Sequence, residues 1–195
     1  MKEEILSIGP EQLSTYASIP IRFEVNTELR ARQIDGGLGG IKLEEIPVSS
    51  PYMKDYDALD HSGPENWPKK FNVQHWGFFL MLLDGQPSGG AAVAVKSDTV
   101  HMLEGRNDLA VLWDLRIAPD VRNQGFGGKL FQYALSWAKA RHYRQMKIET
   151  QNINVPACKF YMMQGCHLGA IHRYGYAAVP AVAHEAMLFW YIDLD

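Results

Sequence analysis

VLWDLRIAPDVRNQGFGGK, residues 111–129, decides the fold. Residues Val111 to Ala118 alternate, with Leu115 and Ile117 on one face and Asp114 and Arg116 on the other, which reads as a β-strand. Pro119 ends it. After the RNQGFGG stretch a helix runs to about Arg141, because Leu130, Ala134 and Ala138, with Phe131 and Leu135, recur at helical spacing. Gln132, Ser136 and Lys139 then face water. Between strand and helix, glycines let successive backbone N–H groups point at one spot with no Cβ in the way. The helix N-terminus adds a positive dipole end, so strand, loop and helix together read as a cradle for a pyrophosphate. Arg122 and Lys129 stand at its rim and can add charge. The competing reading is an ordinary glycine-rich helix start.

Two other phosphate loops fail on spacing. A nucleotide-binding P-loop needs Gly, four residues, then Gly-Lys-Ser/Thr. Here Gly128-Lys129 is followed by Leu130, and Asn123 stands where the first Gly belongs. A dinucleotide fingerprint needs a third Gly three residues after the second. Gly125 and Gly127 fit, but Leu130 takes the third place.

Outward from this unit, Glu4 to Ser7 reads as a first strand and Pro10 to about Ser18 as a short helix. Arg22 to Arg32 alternates weakly and runs into the turn of Gly36, Gly37, Gly39 and Gly40. Lys42 to Pro68 carries four prolines and fits no long periodic element. It is locally acidic, with Glu44, Glu45, Asp55, Asp57, Asp60 and Glu65. Trp76–Leu83 and Gly89–Val95 flank the turn Asp84-Gly85-Gln86-Pro87 as a hairpin. Downstream come a strand over Met146–Thr150, a helix over Val155–Gln164 stopped by Gly165, and strands over Leu168–Tyr174 and Ala186–Ile192. This order implies a single α/β domain with a mixed sheet and helices on its faces.

The 195 residues are 47% hydrophobic, with 5 Trp, 9 Tyr and 8 Phe, enough for one sizeable core. A net charge of -3 with scattered Lys and Arg argues against nucleic-acid binding. The longest strongly apolar run, Phe78 to Leu83, is too short to span a bilayer. Acidic residues at the N-terminus, where a signal peptide has basic ones, and two thiols, Cys158 and Cys166, read as a reduced cytoplasmic protein. The seven His are dispersed and no zinc-type spacing appears, so no metal is expected. Cys158 reads as a packed or surface thiol, because no His–Asp arrangement supports a nucleophile.

The turn Arg122-x-x-Gly125-x-Gly127, with its preceding strand, resembles the acetyl-CoA loop of the GNAT family of N-acetyltransferases. Asn154-x-x-Ala157-x-x-Phe160-Tyr161-x-x-x-Gly165 resembles the family's second motif, with Cys166 where Phe is usual. The resemblance covers roughly residues 111–175. Within the family, Ile148–Asn154 and Glu185–Tyr191 look like streptothricin acetyltransferases.

The resemblance implies a mostly antiparallel mixed sheet of six to seven strands, splayed between the 111–118 and 146–150 strands and flanked by helices. It implies acetyl-CoA as cosubstrate and direct transfer to an amine in a ternary complex. Arg122, Asn123, Gln124, Gly125, Phe126, Gly127, Gly128 and Lys129 would hold the pyrophosphate. Backbone near Leu115 and Ile117 would hold the pantetheine arm. Tyr161 is the candidate general acid, since a phenol with a pKa of about 10 keeps its proton at neutral pH; the alternative is an aromatic packing the last helix on the sheet. Asn154 caps that helix, contacts the cosubstrate, or both. Asp114 accepts the amine's proton or attracts an ammonium, against a solvent-facing or ion-paired strand carboxylate, and Glu149 is the rival base. An acidic lip over residues 44–65, with residues 20–70 as the variable acceptor side, would favour a polycationic small-molecule amine. A peptide or protein N-acetyltransferase and a non-catalytic acetyl-CoA-binding module are the other readings. A homodimer is compatible with the family.

Overall fold

The computed structural model describes residues 2–58 and 63–194. Asp60 of the acidic stretch, and His61, lie outside the described residues. The chain forms two compact units, one of Met1–Phe23, Asp55–Ile148 and Asp193–Asp195, the other of Glu24–Lys54 and Glu149–Ile192.

The first unit contains β1 (Glu3–Ile8), α1 (Leu13–Ala17), α2 (Trp67–Lys70), β4 (Gly77–Leu83), β5 (Gln86–Ala94), β6 (Leu109–Ile117), α3 (Phe126–Lys139) and most of β7 (Gln145–Gln151). β4 is apolar at almost every position because both its faces are covered. Phe79 packs edge-on to Tyr133 and Trp137 of α3, at ring-centroid distances of 5.1 and 5.7 Å. Phe78, pointing the other way, meets Trp67 and Trp76 at 6.2 and 5.9 Å. The predicted stripe of α3, from Leu130 to Ala138, is buried throughout. A Cβ on Gly90 of β5 would run into the ring of Tyr16, so glycine there is what lets α1 lie against the sheet.

β1–β4, β4–β5 and β5–β6 pair antiparallel. The β5–β6 register jumps between Ala92↔Asp114 and Val93↔Leu112, which makes Trp113 the extra residue of a β-bulge. The β6–β7 ladder is parallel, from Leu109↔Gln145 to Leu112↔Ile148, and β6 runs on past it to Ile117.

The second unit holds β2 (Phe23–Gln33), β3 (Ile41–Lys54), α4 (Val155–Met163), β8 (His167–His172), β9 (Met187–Asp193) and the end of β7. β8 and β9 pair antiparallel. The whole seven-stranded sheet has the order β1-β4-β5-β6-β7-β9-β8, mostly antiparallel and flanked by helices, as the resemblance implied. β2 and β3 form a separate two-stranded sheet. Here the sequence reading missed: residues 41–54 are one 14-residue strand, not irregular chain. A ribbon strand with a single partner leaves one edge of N–H groups without a ladder role, so Pro47 and Pro51 are tolerated. The glycine turn is found as expected, closed by the Ile34 N–H donating to the Gly40 carbonyl at 3.0 Å.

Candidate active site

The glycine-containing turn leads into the start of α3. Gly125 is the N-cap with φ 87°, and Asn123 is also left-handed at φ 62°. The first intrahelical bond runs from the Lys129 N–H to the Gly125 carbonyl, 3.2 Å. The N–H groups of Phe126, Gly127 and Gly128 come before it and have no partner within the helix by geometry. Arg122 folds back on the strand it follows: Nε donates to the Ile117 carbonyl at 2.8 Å and Nη2 to the Pro20 carbonyl at 3.3 Å. Burial lowers its pKa. Arg122 therefore shapes the loop as well as charging its rim. Lys129 Nζ lies 2.5 Å from Glu3 Oε2 and over the Phe126 ring. Phe126 is buried and seats the helix start in the core, whereas Asn123 and Gln124 are exposed.

On β6, Leu115 and Ile117 are half-buried and pair in register with Ala91 and Gly89. On the other face Asp114 is ion-paired, with Arg116 Nε 2.9 Å from Oδ1 and Nη2 2.8 Å from Oδ2. The Tyr16 hydroxyl donates to Asp114 Oδ1 at 2.6 Å. Arg116 also binds both oxygens of Asp57, at 2.7 and 3.1 Å, and the Ile19 carbonyl at 3.1 Å. Burial alone would lower the Arg116 pKa, but Asp114 and then Asp57 outweigh it and raise it above the ordinary value. Burial, then the Asp114 charge, push the Tyr16 phenol well up. Removing one partner from a buried pair of this kind costs about 3–5 kcal/mol.

In the second unit Asn154 caps α4, its side chain accepting from the Ala157 N–H at 3.2 Å. Tyr161 is buried at 6% exposure and meets Phe160 edge-on at 5.1 Å. Glu149 is half-buried. Its Oε1 accepts from the Tyr176 hydroxyl and from Gln151 Nε2 at 3.5 Å. Cys158 is buried 3.3 Å from Thr150 Oγ1. Burial pushes its thiol up to about 11, and that of Cys166 likewise. Neither is a ready nucleophile at neutral pH.

The acidic stretch is partly neutralised. Glu44 lies 3.0 Å from Lys42, and Glu45 lies 2.7 Å from Lys159. Asp55 accepts from the Asp57 N–H at 3.1 Å, and Glu65 is exposed. Among the described residues no group of three or more His, Cys, Asp or Glu is placed to hold a metal ion, and no helix is long and apolar enough to cross a membrane.

Sequence reasoning did not single out Arg116, Tyr16 or Tyr176, nor the buried pair of Lys54 and Glu185, 2.5 Å apart. The two-residue spacing of Asp114 and Arg116 on a strand was the one available signal, since it puts both on one face.

The profile of the acetyltransferase (GNAT) family matches residues 44–166. The chain is 32% identical over 149 residues to streptothricin acetyltransferase A of Bacillus subtilis (strain 168), covering 75% of this chain and 76% of that protein. It is 28% identical over 186 residues to a streptothricin acetyltransferase of Escherichia coli, covering 95% and 94%. An N-alpha-acetyltransferase 30 of Schizosaccharomyces pombe is 30% identical over 135 residues, 66% of this chain and 87% of that one. In fold, a nourseothricin acetyltransferase superposes with a TM-score of 0.77 at 20% identity, covering 100% of both chains. A Bacillus anthracis str. Ames protein described as a streptothricin acetyltransferase, solved with acetyl coenzyme A, gives 0.76 at 24% identity, covering 98% and 99%.

Proposed function

This chain belongs to the GNAT family and is an N-acetyltransferase, and from that premise we propose that it takes acetyl-CoA as cosubstrate and acetylates an amine of a small cationic molecule of the streptothricin type. The observation that carries this reading is the cradle: a left-handed Gly125 opening α3 after the short link from β6, with Arg122 bent back onto the end of that strand. It has the shape and the dipole sign a pyrophosphate needs. The likeness to streptothricin acetyltransferases supports the acceptor class.

In this reading acetyl-CoA supplies an activated thioester, and the protein positions, polarises and moves protons. The exposed turn Asn123–Gly125 and the first N–H groups of α3 hold the diphosphate, with Lys129 at the rim. Backbone of β6 near Leu115 and Ile117, beyond the β7 ladder, holds the pantetheine arm as an added strand would be held. Asn154 keeps its cap and orients the start of α4. Tyr161 gives its proton to the departing thiolate. The acceptor must lose a proton to attack. Glu149, hydrogen-bonded to Tyr176, takes it in this reading. Both Asp114 oxygens are already bonded to Arg116, and one also to Tyr16, so Asp114 contributes charge rather than proton transfer. Transfer is direct, with no acyl-enzyme, in keeping with the raised thiols. A cytoplasmic location belongs to the same reading, because acetyl-CoA is made and used there.

The second reading, peptide N-terminal acetylation, is favoured by the likeness to the Schizosaccharomyces pombe N-alpha-acetyltransferase. Mass spectrometry of products separates the two. Incubation with acetyl-CoA and a mixture of streptothricin, an aminoglycoside, a polyamine and short peptides is expected to leave streptothricin one acetyl group heavier. Acetylated peptide with unchanged streptothricin would overturn the small-molecule assignment.

A further inference from the structure

We propose that Arg116 is a positioning residue that moors the chain segment carrying Asp57, and that the moored Asp57 draws a cationic acceptor. The inference rests on the acetyl-transfer reading above. A guanidinium has five N–H donors in a planar fork, and in Arg116 all of them are committed. Nε goes to Asp114, Nη1 to Asp57 and the Ile19 carbonyl, and Nη2 to Asp57 and Asp114, all between 2.7 and 3.1 Å. Its side chain is 1% exposed. Three parts of the chain are thereby tied together: β6, the link after α1, and the segment at 55–58. The Tyr16 ring supports the guanidinium from one face, 5.1 Å from Cζ to centroid.

Charge does not balance in this cluster. Two carboxylates, Asp57 and Asp114, face one guanidinium, and Tyr16 donates rather than accepts, so one negative charge is in surplus. The Asp114 side chain is 8% exposed and that of Asp57 is 28% exposed. The surplus therefore reaches solvent through Asp57, where it favours an approaching ammonium. Arginine keeps its charge at any working pH. A lysine is a point charge and cannot hold two carboxylates edge-on at once.

The test compares wild type with Arg116→Lys, Asp57→Asn and Asp57→Glu. Steady-state kinetics use streptothricin as acceptor, and acetyl-CoA affinity is measured by calorimetry. Asp57→Asn and Arg116→Lys are expected to raise the KM for streptothricin about tenfold, with a much smaller change in kcat and no change in acetyl-CoA Kd, and Asp57→Glu to recover part of the loss. If Arg116→Lys does not fold, Asp57→Asn, at a partly exposed position, decides. An unchanged streptothricin KM in Asp57→Asn overturns the inference alone, as does a KM that moves together with acetyl-CoA Kd. Absence of streptothricin turnover by the wild-type protein overturns the small-molecule assignment and this inference with it.

Discussion

Asp114 and Arg116 stand two apart on β6, so the pleat puts them on one face, and that much is readable from VLWDLRIA. Their partners are not: Asp57 lies 59 residues from Arg116 and Tyr16 lies 98 residues from Asp114. The same holds for Glu149, which a sequence shows as a carboxylate near a strand end but not as the acceptor from Tyr176, 27 residues on. Asn154 was legible as a cap because capping is local, and the Ala157 N–H bond confirms that role. For the thiols, sequence gave only the want of a partner His. The structure adds burial and a pKa of about 11 for both. At pH 8 roughly one thiol in a thousand would be ionised. Ellman's reagent should therefore leave Cys158 and Cys166 unmodified in the folded protein and titrate both in denaturant; rapid reaction of either in the folded state would contradict this.

At the level of elements, the covered strands and α3 were legible, and so were the mostly exposed β1 and β8, while the long ribbon strand β3 was missed. α3 shows its helical period because one face is buried, whereas β4 and β5, buried almost throughout, read as unbroken runs of apolar or small residues. β2 and β3 form a two-stranded ribbon, mostly exposed or half-buried along its length, so no alternation was selected and prolines could enter. The loop between β6 and α3 was legible because its glycine does backbone work. Gly125 sits at φ 87° with nothing within 4 Å of where a Cβ would be, so conformation alone restricts the position. Gly125→Ala should cost about 1–2 kcal/mol of stability and weaken acetyl-CoA binding. Gly105, at φ 67° with equally open surroundings, provides the control. Gly105→Ala should lower Tm comparably and leave the acetyl-CoA Kd alone, and equal Kd values in the two variants would argue against the cradle.

Across the whole molecule, buried acids set a limit on alkaline stability. Tyr16, Tyr143, Cys158 and Cys166 all have pKa values raised, each chiefly by burial. Each is neutral in both states below its ordinary value. As pH rises the unfolded chain ionises first, while the native state keeps its protons, so stability falls. The thiols lose theirs between the ordinary value of 9.0 and about 11, and the tyrosines extend the loss above 10.0. Tm measured across pH 7 to 11 should be flat to about 9 and then decline; a rise over that upper range would contradict the burial of these groups. The claim on which the account turns is acetyl transfer to a cationic amine, and release of free CoA thiol tests it most directly. With acetyl-CoA and streptothricin, the wild-type protein should release CoA steadily. Tyr161→Phe should do so about a hundredfold more slowly at undiminished acetyl-CoA affinity. Tight acetyl-CoA binding with no CoA released on streptothricin, aminoglycoside, polyamine or peptide would contradict the account and leave a cradle without a reaction.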